Sequence, residues 1–215
     1  MSVQQLSFAE PFFSVQYIVE EERFEVGTER CILLNVSDAE VKVEEQLLGF
    51  LCSTVVTNTV LGNVHRAILI EHFDKYAEAE IEKLYEHIRS AWTLVFDATG
   101  LERHKGVQLW RSPKEHLGNI DVNMCYAHSI PLHVGLHKTH WGPPEFREVH
   151  TQIIGYGKMQ QCRQNDISTL YREDYLAPGC THQPMYNEHY EYPWHQYETV
   201  TRGIFMATEM TGTQI

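Results

Sequence analysis

The sequence is short of the features that would assign it to several common classes. Its five cysteines (Cys31, Cys52, Cys125, Cys162 and Cys180) are odd in number and contain no C-x-x-C pair. That spacing argues against a zinc ribbon and a disulfide framework, and reads as reduced thiols in a cytoplasmic protein. Basic residues are outnumbered, with 17 Lys and Arg against 29 Asp and Glu and a formal charge of −12. A general nucleic-acid binder needs a basic face to neutralise phosphates, so nucleic acid is not an expected partner. No apolar run approaches the roughly 18–20 residues of a membrane span, and the start, MSVQQLSFAEPFF, lacks the basic-then-apolar order of a secretory signal. Neither G-x-G-x-x-G after a strand nor G-x-x-x-x-G-K-[ST] occurs.

What remains is an ordinary globular composition, 43% hydrophobic and 21% charged over 215 residues, enough for one large domain or a domain with an extension. The first seventy-odd residues read as strands: CILLNV (31–36), LLGFLCSTVVTNTVL (47–61) and RAILIEHF (66–73) are rich in β-branched and apolar residues. The second run could equally begin a buried helix. DKYAEAEIEKLYEHIRSAW (74–92) has apolar residues at three- and four-residue steps and predicts a helix with Asp74 as N-cap. DATGLERHKG (97–106) reads as a turn-rich connection. From about 107, short runs (VQLW, IDVNMCYA, REVHTQIIGYG, YETVT, GIFMATEM) alternate with turn residues, which predicts a β-sandwich or barrel. The expected fold is mainly β: residues 1–106 as an N-terminal α+β extension and 107–215 as a β-barrel.

Histidine is the residue in excess. Eight of the 13 lie between 128 and 195: His128, His133, His137, His140, His150, His182, His189 and His195. On a strand over 145–154, period two puts Phe146, Glu148, His150, Gln152 and Ile154 on one face, so Glu148 and His150 point the same way. The turn at Gly142-Pro143-Pro144 would fold the chain back and bring His140 alongside. His182 follows a Pro-Gly turn that can aim its imidazole into a barrel mouth. His137 and His140 are three apart, so on a strand they take opposite faces and, unless the chain bends there, only one joins Glu148 and His150. The candidate metal ligands are His137, His140, Glu148, His150 and His182. Such a nitrogen–oxygen set suits Fe(II), Mn(II), Ni(II) or Zn(II).

These residues resemble the cupin superfamily, small β-barrels whose metal is held by two short motifs. In the first motif a His-x-His pair precedes a glutamate, six residues and a glycine; here Glu148, VHTQII and Gly155 are similar. In the second, proline and glycine precede a histidine and then an asparagine; here Pro178, Gly179, His182 and Asn187 are similar. The chain departs from the pattern in having His137-Lys138-Thr139-His140 where the His-x-His pair stands. The resemblance covers roughly 107–210. It implies a metal held by His140 or His137, by Glu148 or His150, and by His182, and it implies a homodimer.

A divalent ion in a barrel mouth can bind a small polar metabolite. Iron(II) oxygenase chemistry is the leading expectation, with a metal-dependent isomerase, epimerase or lyase and a non-catalytic ligand-binding protein as alternatives. The acid–base candidates are His195, Tyr197 and Glu198; period two puts His195 and Tyr197 on one face and Glu198 on the other. Arg147, Lys138 and Arg202 are candidates for receiving a substrate carboxylate.

Overall fold

The computed structural model describes residues 2–140 and 145–212. Seven antiparallel strands open the chain: β1 (Ser2–Leu6), β2 (Ser14–Val26), β3 (Cys31–Asn35), β4 (Val41–Val43), β5 (Gln46–Leu48), β6 (Ser53–Val56) and β7 (Thr59–Glu71). They form one sheet in the order β1-β2-β7-β3-β6, with β4 on β7 and β5 on β4. The apolar run 47–61 is neither one strand nor a helix. Leu51 and Asn58 take positive φ (55° and 45°) and divide it among the end of β5, all of β6 and the start of β7.

A helix follows, but it is shorter than the periodicity predicts. α1 spans Ile81–Ala91, and Glu80 at its N-cap makes no side-chain capping bond. Asp74, the predicted cap, pairs instead with Arg30 at 3.1 Å, and the Tyr76 hydroxyl donates to the Phe12 carbonyl at 2.7 Å. Both contacts tie the segment to the first sheet, so only residues beyond the 77–80 turn are free to wind.

The remaining elements are β8 (Thr93–Leu94), α2 (Val95–Thr99), β9 (Leu109–Arg111), β10 (Glu115–Leu117), β11 (Ile120–Ala127), β12 (Arg147–Ile154), β13 (Gly157–Cys162), β14 (Leu170–Leu176), β15 (Trp194–Thr199) and β16 (Gly203–Met210). Two short 3-10 turns, Glu102–His104 and Ile167–Thr169, complete the list. A second sheet runs β12-β16-β11-β9-β8, with β10 on β11, and a third runs β14-β13-β15. The molecule is therefore mainly β and antiparallel.

Period two decides how the sheets stack. In the first sheet Ile32, Leu34, Ile68 and Ile70 point to one face, while Leu33, Ala67 and Leu69 point to the other. The first set shares a core with Val122, Met124, Tyr126, Val149, Ile204 and Met206 of the second sheet and with Leu84, Tyr85 and Ile88 of α1. The opposite face of the second sheet carries Cys125 and Phe205, which pack with Met159 and Tyr197 of the third. The middle sheet is thus covered on both sides. A chain of hydroxyls crosses the layers: Ser53 Oγ donates to the Gly179 carbonyl, Thr181 Oγ1 donates to Ser53 Oγ, and Thr151 and Thr181 share a bond, each at 2.7 Å.

All five cysteines are free thiols. No helix among the described residues is long and apolar enough to cross a membrane.

Candidate metal centre

A cavity of about 250 Å³ lies between the second and third sheets. Its lining follows from strand alternation. β12 presents Glu148 and His150, β16 presents Phe205, Ala207 and Glu209, β11 presents Asn123 and Cys125, and β15 presents His195 and Tyr197. The segment before β12 adds Val134, His137, Thr139 and His140. It is held against β15 by isolated bridges pairing His133 with Glu198 and His137 with His195.

Three imidazoles converge there. The ring centroids of His137 and His195 lie 4.3 Å apart, His140 and His195 5.1 Å, and His137 and His140 5.2 Å. One ligand atom from each falls within 4.8 Å of the others. His137 Nδ1 lies 2.9 Å from the Gly135 carbonyl and His195 Nδ1 2.9 Å from the Pro193 carbonyl. A carbonyl only accepts, so in each ring Nδ1 carries the proton and Nε2 keeps its lone pair. Nε2 of His195 and Nε2 of His140 are buried with no hydrogen-bond partner among the described residues. Buried nitrogens are normally satisfied, so unpartnered ones on two converging rings fit a site that takes a ligand.

Glu148 stands beside the trio, its two oxygens each 3.5 Å from a ring nitrogen, one of His140 and one of His150. Its backbone is fixed too, since the Glu148 amide donates to the Tyr192 hydroxyl at 2.7 Å, and that hydroxyl reaches the Phe146 carbonyl at 3.3 Å. His140 stacks on Phe146 with centroids 4.8 Å apart. The electrostatics complete the donor set. Burial pushes His137 down to about 3, helped by His195 and Arg103, and burial pushes His195 down to about 4, helped by His140. Burial lowers His140 as well. For Glu148 burial acts upward, but the imidazoles of His150, His140 and His195 outweigh it and leave the carboxyl well below its ordinary range. Neutral imidazoles beside an ionised carboxylate are what a divalent cation takes as ligands. His137, His140 and His195 could hold one, with Glu148 adjacent.

The other predicted residues fall into three groups. His150 lines the cavity beside Glu148, while His182 lies behind it, 5.4 Å away between ring centroids and outside the lining. The His182 Nδ1 is 2.8 Å from the Gln183 carbonyl and its Nε2 is a further buried orphan, as is His150 Nδ1. Tyr197 lines the cavity and donates to Gln152 Oε1 at 2.9 Å. Burial pushes its phenol well above the ordinary range. Glu198 points away, to Lys158 at 3.0 Å and His133 at 3.4 Å. The predicted carboxylate receivers are engaged elsewhere. Arg147 donates to the Gly212 carbonyl, Arg202 pairs with Glu82, and Lys138 sits over Trp194. The turn at Gly142-Pro143-Pro144 lies outside the described residues.

Several cavity residues escape sequence reasoning: Arg103, His104, Arg111, Lys114, Asn123 and Glu209. Asn123 and Glu209 had a usable signal, since each is a polar residue alternating with apolar ones inside a short strand. Arg103 and His104 come from an aperiodic turn and had none.

No family model matches the chain, and no curated protein matches it. Solved structures do. The cupin 2 conserved barrel domain protein from Leptotrichia buccalis is 10% identical with a TM-score of 0.35, over 98% of this chain and 88% of that one. This chain is similar to a cupin barrel. AerE from Microcystis aeruginosa gives 10% identity and a TM-score of 0.35, over 98% of this chain and 97% of its own. A Bacillus subtilis oxalate decarboxylase variant gives 8% and 0.35, over 99% and 73%. At such scores the likeness carries no functional argument, and the metal centre rests on its own residues.

Proposed function

We propose that this protein is a mononuclear divalent-metal enzyme acting on a small polar metabolite. The observation that carries the reading is the convergence of His137, His140 and His195, with buried, unpartnered Nε2 atoms on His140 and His195 and an ionised Glu148 beside them. A bound ion would supply a Lewis-acid point and, as iron(II), a place to activate oxygen. The chain's own residues do the rest. The backbone carbonyls of Gly135 and Pro193 hold two rings in one tautomer. Phe146, Met159 and Phe205 make part of the wall apolar and limit water.

Iron(II) oxygenase chemistry is the first form of this proposal, on the strength of the histidine-rich ligand set. A second form, an isomerase or lyase, draws on Glu209. This carboxyl lines the cavity 2.6 Å from Lys114 and is raised by burial and by Glu148. It can hold a proton and return it, as an acid–base catalyst must.

Elemental analysis of untagged protein beside His140→Ala and His195→Ala tests the centre. Near-stoichiometric metal in the wild type, falling at least about tenfold in either variant, is the expected result. Iron with oxygen uptake on small hydroxy- and amino acids supports the oxygenase. Manganese, zinc or nickel without oxygen uptake, and turnover that Glu209→Gln abolishes while metal content holds, supports the isomerase or lyase. Wild-type protein that neither carries nor takes up a divalent metal overturns both and leaves a ligand-binding protein.

A further inference from the structure

The cavity that holds the imidazoles has a second polar end. Arg103, Arg111 and Lys114 all line it. Lys114 is already neutralised, by Glu209 at 2.6 Å and Asp121 at 3.9 Å. Arg103 donates to the Val134 carbonyl at 3.5 Å, its one hydrogen bond among the described residues. No hydrogen bond or ion pair engages the half-buried Arg111 guanidinium among the described residues. Arg103 feels the Glu148 carboxylate across the cavity, whereas Arg111 faces the same cavity with no carboxylate partner among the described residues, which is out of keeping with a chain of formal charge −12.

Arg111 is set rigidly for such a role. It lies in β9, paired with Cys125 of the central strand β11, and β9 is held on its other side by β8 through the pairing of Arg111 with Thr93. Between the two arginines His104 is buried, with Nδ1 2.9 Å from the Thr99 hydroxyl. Burial, Arg103 and Arg111 push it down to about 4, so it adds no charge of its own and leaves the guanidiniums to define the field.

We propose that Arg111, assisted by Arg103, is a carboxylate-recognition subsite, and that the substrate is a small molecule bearing a carboxylate remote from the end that faces the imidazoles. A guanidinium offers paired N–H donors matching the two oxygens of a carboxylate, which an amide of the same shape cannot replace. The orientation of the ligand rests on the metal-centre reading; the anion preference does not.

The test compares malonate, succinate and glutarate with their monoamides by calorimetric titration into manganese-reconstituted wild type and Arg111→Gln. Each monoamide keeps one carboxylate and differs only in the second. The expected result is that at least one dicarboxylate binds wild type on the order of tenfold more tightly than its monoamide, and that Arg111→Gln reduces this preference to near unity. Arg111→Lys is expected to retain part of it. Circular dichroism and manganese content, unchanged in the variant, separate loss of recognition from loss of fold. An equal preference in wild type and variant, or no dicarboxylate bound by folded wild type, overturns the subsite. Arg111-dependent preference in protein that takes up no manganese keeps the subsite and overturns the metal centre. Stoichiometric manganese with no such preference does the reverse.

Discussion

Acidifying the metal-free protein from about pH 7 to about pH 4 is expected to remove several kcal/mol of stability. Three imidazoles buried to 5% exposure or less carry the effect: His104, His182 and His195, held at about 4, about 3 and about 4 by burial first. In the unfolded chain each returns to about 6.5. Above that value both states are neutral at these positions and they contribute nothing. Below it the unfolded chain takes up protons that the folded chain refuses, so stability falls as pH falls, by about 1.4 kcal/mol per pH unit for each group, until the folded rings protonate. Glu148 adds a loss of the same sign at lower pH. Its folded value is depressed, so the stability it contributes above its ordinary 4.5 disappears as acid titrates it. Set against a typical total of about 5–15 kcal/mol, this places acid unfolding near pH 4–5. Urea midpoints measured across the range check it. A midpoint that stays flat between about pH 7 and pH 5 would show that these rings are not held neutral by burial. His104→Gln, away from the imidazole trio, is expected to flatten the profile by one group's share.

Gly155→Ala is expected to cost roughly 3 kcal/mol or more, and Gly203→Ala a comparable amount. Gly155 takes φ +74°, and a Cβ there would press on the Arg202 carbonyl oxygen and the Thr201 hydroxyl. Gly203 lies on the other side of the same crossing, where a Cβ would meet the Ile154 carbonyl. The two carbonyls are backbone atoms, one in the tight turn between β15 and β16 and one in β12, and cannot swing aside as a flexible side chain could. The damage would be felt at the site, because β12 carries Glu148 and His150 and β16 carries Glu209. Thermal melts of both variants, with Gly106→Ala as a comparison, provide the measurement. Gly106 also has positive φ (+77°) but meets nothing within 4 Å, so it isolates the backbone strain from the collision. Equal losses at Gly155 and Gly106 would refute the steric part of the argument.

The legibility of the molecule in its sequence follows the same physics. Glu148 and His150 were readable as neighbours because strand alternation is local and needs no knowledge of the partner strand. Gly155, singled out through the glutamate-to-glycine spacing, proves to mark a strand crossing with positive φ. The convergence of His137 and His140 with His195 was not readable, since it depends on a bridge between segments far apart in the chain. His195 was placed by sequence among acid–base candidates, yet it stands within the imidazole trio. The start of α1 was misjudged because periodicity does not register that Asp74 and Tyr76 are bound to the first sheet. Arg111 gave no signal: what distinguishes it, the lack of a hydrogen-bond or ion-pair partner among the described residues, is visible only in the packed structure.

The run of hydroxyls from Ser53 through Thr181 to Thr151 ties the turn bearing His182 to β6. Loosening of that turn and fraying of β6 at Ser53 would each break the same two bonds. Through Thr151, which neighbours the cavity residue His150 on β12, the same bonds link local opening of β12 to that of β6 on the far side of the middle sheet. An occupant that steadies the imidazoles should therefore slow amide exchange in β6, giving a remote reporter of events it never touches.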